Sequence, residues 1–556
     1  MKNAELIARF NRLNTDRNNV EQMWDAITKF ITPYRGRFFK EQDNEDTIEW
    51  TQRWIYDGTA VGAHQTLASS LHGALTSPSI RWFDMRFRDN KLNENKRAAA
   101  WMQEVVDLVY YEFQDSNFNL EINESYQDLV GMGTSFMTLE RKNDESPSWS
   151  GLNFCAVPLK EAFGEYDANG RLARFYRHLK WTPTEIISKF GDSVPQAVKD
   201  AEKGKSSTRM DVLFVVTPRG NEIKTIAEMN RKKAPSKRAW EYRYIFMPSS
   251  ETLGKPGGYY EMPAYAARWR KTSESQWGNS PAMLALADVL TLNEARKMQL
   301  SMAEKIIDPP TLAEERALLS DLDMSAGALN TVRNADGIKQ FESRGSFPVS
   351  DAMVTQLQQS VKDYFFIDAL RMPPPQAQPM TATEIMARQE QMQRELGPTL
   401  GRISADMLDP LITRAVKMLA RAGRLPEAPP IVKETDAQWD IQYLGSLQRA
   451  QRMDNAQNIE RWVMSGANMA QVLPDALDII DAHEIMRYLG RDLSIPAMVM
   501  RDKAEVQERK DARDAEAAKA AEAAQGKMAG EAAMAQGEGA QAMAAGQAAV
   551  NDAGGM

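Results

Sequence analysis

Apolar residues recur every three or four positions through much of this chain, and that period predicts helices. Over 4–31 the repeat is Leu6, Ile7, Phe10, Leu13, Val20, Met23, Trp24, Ile27 and Ile31, with Pro33 as the stop. Another helix is predicted over 55–77, carrying Leu67, Leu71 and Leu75 and ending at Pro78. Two more follow at 95–115 and 117–132, after a short strand-like run from Trp82 to Arg88. From 133 to 270 the pattern turns β-rich. Strand-like pieces are Ser135–Glu140, Leu152–Val157, Phe163–Tyr166, Arg171–His178, Val212–Thr217, Trp240–Met247 and Ala264–Trp269. Asn169-Gly170 is a hairpin-turn signal between two of them. Thr182-Pro183-Thr184-Glu185 is a capping box with proline at the first helical position, opening a short helix that ends at Gly191.

Ser280-Pro281 repeats the start signal and opens a long helix with Leu284, Leu286, Val289, Leu292, Met298, Met302 and Ile306, ended by Asp308-Pro309-Pro310. Residues 311–349 read as a compact insertion with turns at Asp336-Gly337 and Arg344-Gly345. A helix from Asp351 to Leu370 follows, with Ser350 as N-cap. Three consecutive prolines, Pro373 to Pro375, then force a stiff extended corner. The next helix starts on a second capping box, Thr381 with Glu384, stapled by Met380 against Ile385. Its stripe runs from Ile385 to Leu419, kinked by Pro398 and Pro410, and it stops at Gly423. Arg414, Lys417 and Arg421 would complement its C-terminal dipole. Residues 434–500 read as mostly helical, with an apolar stretch at 440–444. Residues 498–525 suit a polar helix, and 526–556, rich in Gly, Ala, Met and Gln, suit a disordered tail.

The chemistry these elements could carry is limited. The chain has 556 residues and a net charge of −8, so it lacks the basic balance of a tight DNA binder. Cys155 is the one cysteine, which excludes an internal disulfide and any cysteine-cluster metal site; in an apolar strand it reads as a buried thiol. The start lacks the apolar run of a signal peptide, and no window is apolar over the ~18 residues of a membrane helix. Gly204-Lys205-Ser206 resembles the end of a phosphate-binding loop, but Lys199 stands where that loop needs glycine, and 199–209 reads as a solvated loop. His64, His72, His178 and His483 lack partners at zinc-ligand spacing and read as surface or packing residues. Gly131-Met132-Gly133 lacks the third glycine of a dinucleotide loop and reads as a helix-to-strand turn. No Gly-x-Ser-x-Gly elbow occurs. Neither an enzyme nor a cofactor site is indicated.

The order of several short stretches is more informative. Ile31-Thr32-Pro33-Tyr34-Arg35-Gly36-Arg37-Phe38, Tyr56-Asp57-Gly58-Thr59-Ala60 and Leu129-Val130-Gly131-Met132-Gly133-Thr134 come first. Val216-Thr217-Pro218-Arg219, Arg268-Trp269-Arg270, Trp277-Gly278-Asn279-Ser280-Pro281 and Leu292-Asn293 follow. Then come Met380-Thr381-Ala382-Thr383-Glu384-Ile385-Met386-Ala387-Arg388 and Leu408-Asp409-Pro410-Leu411. Over about residues 5–490 the chain resembles the head-to-tail connector, or portal, proteins of short-tailed double-stranded DNA bacteriophages.

That resemblance implies a mainly helical α+β subunit of a ring, typically of twelve copies, at one capsid vertex of the virion, assembled in the host cytoplasm. It implies a wing over 1–270, a first stem helix within 271–307, a clip over 308–349 and a second stem helix over 350–371. A tunnel loop over 372–380, a kinked wing helix over 381–423, a helical crown over 424–500 and a low-complexity tail over 501–556 complete it. Double-stranded DNA would pass through the ring, with Lys362, Arg371, Met372, Pro373, Pro374, Pro375, Gln376 and Gln378 at or near the lumen and Met380, Thr381, Glu384 and Ile385 as the structural helix start. Implied partners are a separate terminase motor, the major capsid and scaffolding proteins, and tail adaptors, with no membrane and no cofactor. The acidic balance suits a channel in which DNA slides over weak contacts. A non-ring scaffold or internal virion protein acting through helices is the alternative reading, and a nucleotide-driven motor is weakened by Lys199.

Overall fold

The computed structural model describes residues 1–35, 54–143, 148–205, 207–219, 233–272, 275–307, 311–313, 338–340, 347–370, 395–434, 438–444 and 457–466, with isolated positions and short helical stretches between 331 and 520. The fold is α+β. The chain divides into two compact units. The first comprises Met1–Arg86, Glu104–Ala428 and Lys433–Gln451; the second comprises Phe87–Gln103, Pro429–Val432 and Arg452–Met556.

The first unit opens with α1 (Asn3–Phe30) and α2 (Thr59–Leu75). The helix expected from 55 starts four residues later, after Gly58 as N-cap, and the Asp57 carboxylate accepts from the Thr59 N–H at 2.9 Å just before it. In chain order, strand β1 (Phe83–Phe87) ends at the first residue of the second unit, and the short α3 (Asn90–Glu94) belongs to the second unit. Helix α4 (Lys96–Asp115) begins in the second unit and continues into the first, and α5 (Phe118–Met132) belongs to the first. Helix α5 ends at Gly133, and β2 (Thr134–Arg141) begins at once.

Two antiparallel sheets then form. The first has the order β3-β2-β9, with β3 at Leu152–Val157 and β9 at Ala264–Arg268. The second is a meander of β4 (Ala162–Tyr166), β5 (Leu172–Trp181), β6 (Met210–Pro218), β7 (Trp240–Phe246) and β8 (Glu251–Tyr259). Asp167–Gly170 forms the predicted hairpin turn between β4 and β5. The capping box at Thr182 and Glu185 is present, and opens α6 (Pro183–Phe190).

Two elements depart from the sequence reading. The expected loop after 199 begins inside α7 (Gln196–Lys203), so Gly204 is a helix end rather than part of a phosphate cradle. Strand β8 was not expected, since Gly254, Pro256, Gly257 and Gly258 disfavour strands. It lies at the sheet edge, where a missing N–H is tolerated, and its register shifts opposite Arg243 to absorb the proline. A Cβ at Gly257 would stand 2.1 Å from the Tyr242 ring, so glycine leaves room for the aromatic. Cys155 sits in β3 half-buried rather than buried, and burial pushes its thiol up.

The long helix α8 spans Pro281–Ile307, and β10 (Thr311–Ala313) pairs antiparallel with β11 (Ile338–Gln340). Helix α9 (Phe347–Tyr364) packs back along α8 and α2, and α10 (Ile367–Leu370) packs on α2. Helix α9 therefore starts before Ser350 and stops before Leu370. Phe366 adopts φ +56° and breaks it. Phe365 and Ile367 are both buried. Residues two apart on one helix point about 200° apart, so a break lets both reach the same core.

Residues 395–403 are helical and run through a wide π turn, Ser404–Leu408, into α11 (Asp409–Arg421). The Asp409 N–H reaches back five residues to the Ser404 carbonyl, and Pro410, which has no N–H, follows directly. Gly423 at φ +69° ends α11, with the Arg424 N–H on the Leu419 carbonyl at 3.0 Å. Helix α12 (Pro430–Glu434) and β12 (Trp439–Tyr443) follow, and β12 pairs with β1. Trp82 stacks between Phe118 and Tyr443 beside that pair.

In the second unit Phe87 stacks on Trp101, and Asn93 exchanges hydrogen bonds with the Phe87 backbone at 3.0 and 2.7 Å. Helical stretches at 457–466, 509–513 and 515–520 are mostly exposed.

Candidate functional site

The structure explains why several of the short stretches singled out in the sequence are where they are. Several of those within the described residues, namely 31–35, 56–60, 129–134, 268–270, 277–281 and 292–293, are joints around the bases of α8 and α9. Asn293 of α8 is 8% exposed and holds the approach to α2: its Oδ1 accepts from the Tyr56 N–H at 2.8 Å and its Nδ2 donates to the Trp54 carbonyl at 3.0 Å. Asp57 accepts from Gln358 Nε2 of α9 at 2.7 Å. Ser360 of α9 donates to Asp288 of α8 at 2.6 Å. Tyr56-Asp57-Gly58-Thr59-Ala60 and Leu292-Asn293 thus form one connection between two helices and a loop.

The glycine motifs form a second joint. Gly133 has φ +77°, and a Cβ there would stand 2.3 Å from the Gly278 carbonyl oxygen. A Cβ on Gly278 would stand 2.1 Å from the Gly133 oxygen. Two backbones cross here because neither residue has a side chain. The Gly278 N–H donates to the Thr134 hydroxyl at 2.8 Å, and the Trp269 N–H to the Gly133 carbonyl at 2.9 Å. Ser280 caps α8 by accepting from the Met283 N–H at 3.0 Å, and donates to the Gly131 carbonyl at 2.8 Å. Trp24 closes the joint, donating to the Met132 carbonyl at 3.1 Å and meeting Trp277 edge-on at 5.0 Å.

A third joint lies under the break between α9 and α10. His64 is fully buried. The Tyr34 hydroxyl donates to its Nδ1 at 2.9 Å, and its Nε2 donates to the Gln127 carbonyl at 2.9 Å. Burial holds the ring neutral, with its pKa down at about 4, and the neutral ring with its proton on Nε2 satisfies both bonds. Phe365 meets the His64 ring edge-on at 6.5 Å. Beside it Arg35 pairs with Glu124, and with Asp128 at 2.9 Å. Burial pushes the Asp128 carboxyl up to about 6 against the pull of Arg35. Gln359 bridges the break, donating to Asp363 at 3.0 Å and Asp368 at 2.6 Å. His64, expected to be an ordinary surface or packing residue, is therefore a buried hydrogen-bonding node; its position on the inner face of α2 was the only sequence signal.

Of the residues expected at the channel, Lys362 lies part-exposed on α9, four residues before the break. Arg371, Met372, Pro373, Pro374, Pro375, Gln376 and Gln378 lie outside the described residues, as do Met380, Thr381, Glu384 and Ile385. The cations of α11 do something other than serve its dipole. Arg414 is 5% exposed and donates to the Leu139 carbonyl at 3.1 Å and the Glu261 carbonyl at 2.6 Å. Arg421 forks onto the Glu261 carboxylate at 2.6 Å to each oxygen. Among the described residues no group of three His, Cys, Asp or Glu is arranged to hold a metal ion, and no helix is long and apolar enough to cross a membrane.

Residues 3–500 match the model of the bacteriophage head to tail connecting protein family, and the chain belongs to that family. It is accordingly a connector of the phage virion, at the junction of head and tail. Among its relatives, the probable portal protein of Bordetella phage BPP-1 is 27% identical over 532 residues, covering 90% of this chain and 91% of the relative. The portal protein of Salmonella phage epsilon15 is 24% identical over 519 residues, covering 91% of this chain and 90% of the relative.

Proposed function

We propose that this connector works as a phage portal: a closed ring, of twelve subunits, at one capsid vertex, through which double-stranded DNA enters during packaging and leaves at infection. The observation that carries the ring is the surface of α8. At about 1.5 Å per residue its 27 residues extend roughly 40 Å. Leu284, Leu290, Met298, Leu300, Ile306 and Ile307 are exposed along it, Ile307 at 83%. Apolar side chains spread round a helix, beyond the stripe packed on its own fold, mark a surface that an assembly covers.

On this reading α8 and α9 are the stem, 308–349 the clip that meets the terminase and later the tail adaptors, and 1–270 with 381–423 the wing against the capsid and scaffolding proteins. Residues 424–500 form the crown, with the tail beyond 500. Residues 372–380 are the tunnel loop, preceded by Arg371. Its role is mechanical and non-catalytic. The Phe366 break supports the loop assignment, since it ends the stem over the anchored His64 joint. Deleting 373–379 should leave ring assembly intact while packaging or DNA retention fails in a packaging assay. Normal DNA-filled heads from that deletion would refute the loop's role.

A further inference from the structure

A cavity of about 290 Å³ opens in the first unit between β2, the end of β8 and the last turns of α11. Four guanidinium groups face it, from Arg141, Arg238, Arg414 and Arg421, against two carboxylates, Glu140 and Glu261. Glu261 is 4% exposed and is consumed by Arg421 and Arg414. Glu140 accepts the Tyr259 hydroxyl at 2.5 Å. Among the described residues Arg238 hydrogen-bonds only to backbone, with Nε on the Lys233 carbonyl at 3.2 Å and Nη1 on the Gly258 carbonyl at 2.7 Å. Arg141 donates to the Ser148 carbonyl, and among the described residues its buried Nε has no partner. Among the described residues lining it, the site is therefore two positive charges in excess. Its cations are also held in place by rings. Tyr260 lies between Arg238 at 4.7 Å and Arg421 at 4.3 Å, and Arg414 lies over Tyr259 at 5.3 Å.

Pre-positioned guanidinium forks with unused N–H groups are receptors for a carboxylate. A DNA backbone does not fit. It needs an extended cationic stripe, whereas this is a cup for one or two side chains that contains carboxylates of its own. The chain itself supplies the complement, with 76 acidic against 68 basic residues. A ring interface is heterologous, so a receptor on one face of the subunit meets a different face of its neighbour. We propose that this cavity receives an aspartate or glutamate side chain from a second copy of the chain, locking adjacent subunits; the proposal rests on the ring reading above.

The test uses full-length protein with a benzophenone amino acid replacing Met418, which lines the cavity. Assembled rings should yield on illumination a covalent dimer, with the cross-link mapping to a peptide that contains Asp or Glu. In the Arg141→Gln, Arg238→Gln double variant the dimer yield should fall about tenfold, as for loss of a charge-assisted pair, and rings should dissociate at lower NaCl concentration. Arg238→Lys should recover part of that resistance. Rings that cross-link only within one chain, or equally well in the double variant, overturn the proposal and leave the ring reading intact. Absence of rings in the unmodified protein overturns both.

Discussion

Replacing Gly133 by alanine tests the account of the fold most sharply. At φ +77° a β-carbon costs about 1–2 kcal/mol. The new atom would lie 2.3 Å from the Gly278 oxygen and 3.0 Å from the Ser280 nitrogen, and both obstacles are backbone. Nothing flexible can yield, so the two segments must part by about 1 Å to reach ordinary contact. Parting them strains the Gly278 N–H bond to Thr134 and the Trp269 N–H bond to Gly133, at 2.8 and 2.9 Å. A buried donor left unsatisfied costs about 1–3 kcal/mol. The expected loss is about 2–5 kcal/mol, a large fraction of the whole stability of a domain. Urea unfolding followed by tryptophan fluorescence reads this directly, because Trp24 and Trp277 sit on the joint. Gly62→Ala is the control: it lies inside α2 with open space around its β-position, and alanine there should gain about 0.5–1 kcal/mol. An unfolding midpoint for Gly133→Ala at or above that of wild type would refute the crossing.

Two further predictions concern the other joints. Asn293→Ala should cost about 2–4 kcal/mol by stranding the Tyr56 N–H and the Trp54 carbonyl, whereas Asn293→Asp keeps the acceptor and should lose less; equal losses in denaturant unfolding would show that the side chain acts by packing alone. His64 is protonated below its ordinary value of 6.5 in the unfolded chain but only below about 4 in the fold. The fold therefore loses stability as pH falls from 6.5 to 4, by about 3 kcal/mol at 1.36 kcal/mol per pH unit. His64→Gln is free of that loss, so its deficit against wild type at pH 7 should shrink toward pH 4; a constant gap in unfolding free energy would exclude a neutral buried ring.

Much of the architecture was readable because local signals and tertiary packing agree. Thr182 with Glu185, Ser280 with Pro281, and Asn169-Gly170 each act where the chain predicts, since caps and tight turns depend on neighbours only. Strand β8 was hidden because its glycines answer to Tyr242 across the sheet rather than to strand propensity. The break at Phe366 was hidden because a helical period continues through it, and only the burial of both Phe365 and Ile367 demands it. The joints were visible as motifs but not as joints: nothing local tells Gly133 that it will meet Gly278. Arg414 and Arg421 were assigned to a helix dipole, which any C-terminal cation satisfies, while Glu261, which claims them, lies more than 150 residues away in sequence.

The central claim is that copies of this chain close into a ring around a DNA-sized channel. Cryo-electron microscopy of the purified full-length protein, sorted by rotational symmetry, tests it most directly. The account predicts closed rings with an open axial channel wide enough for duplex DNA, the apolar surface of α8 covered by a neighbouring copy, and 371–380 facing the lumen. Monomers, filaments or solid particles across a range of salt and with capsid partners present, with α8 still exposed, would contradict it.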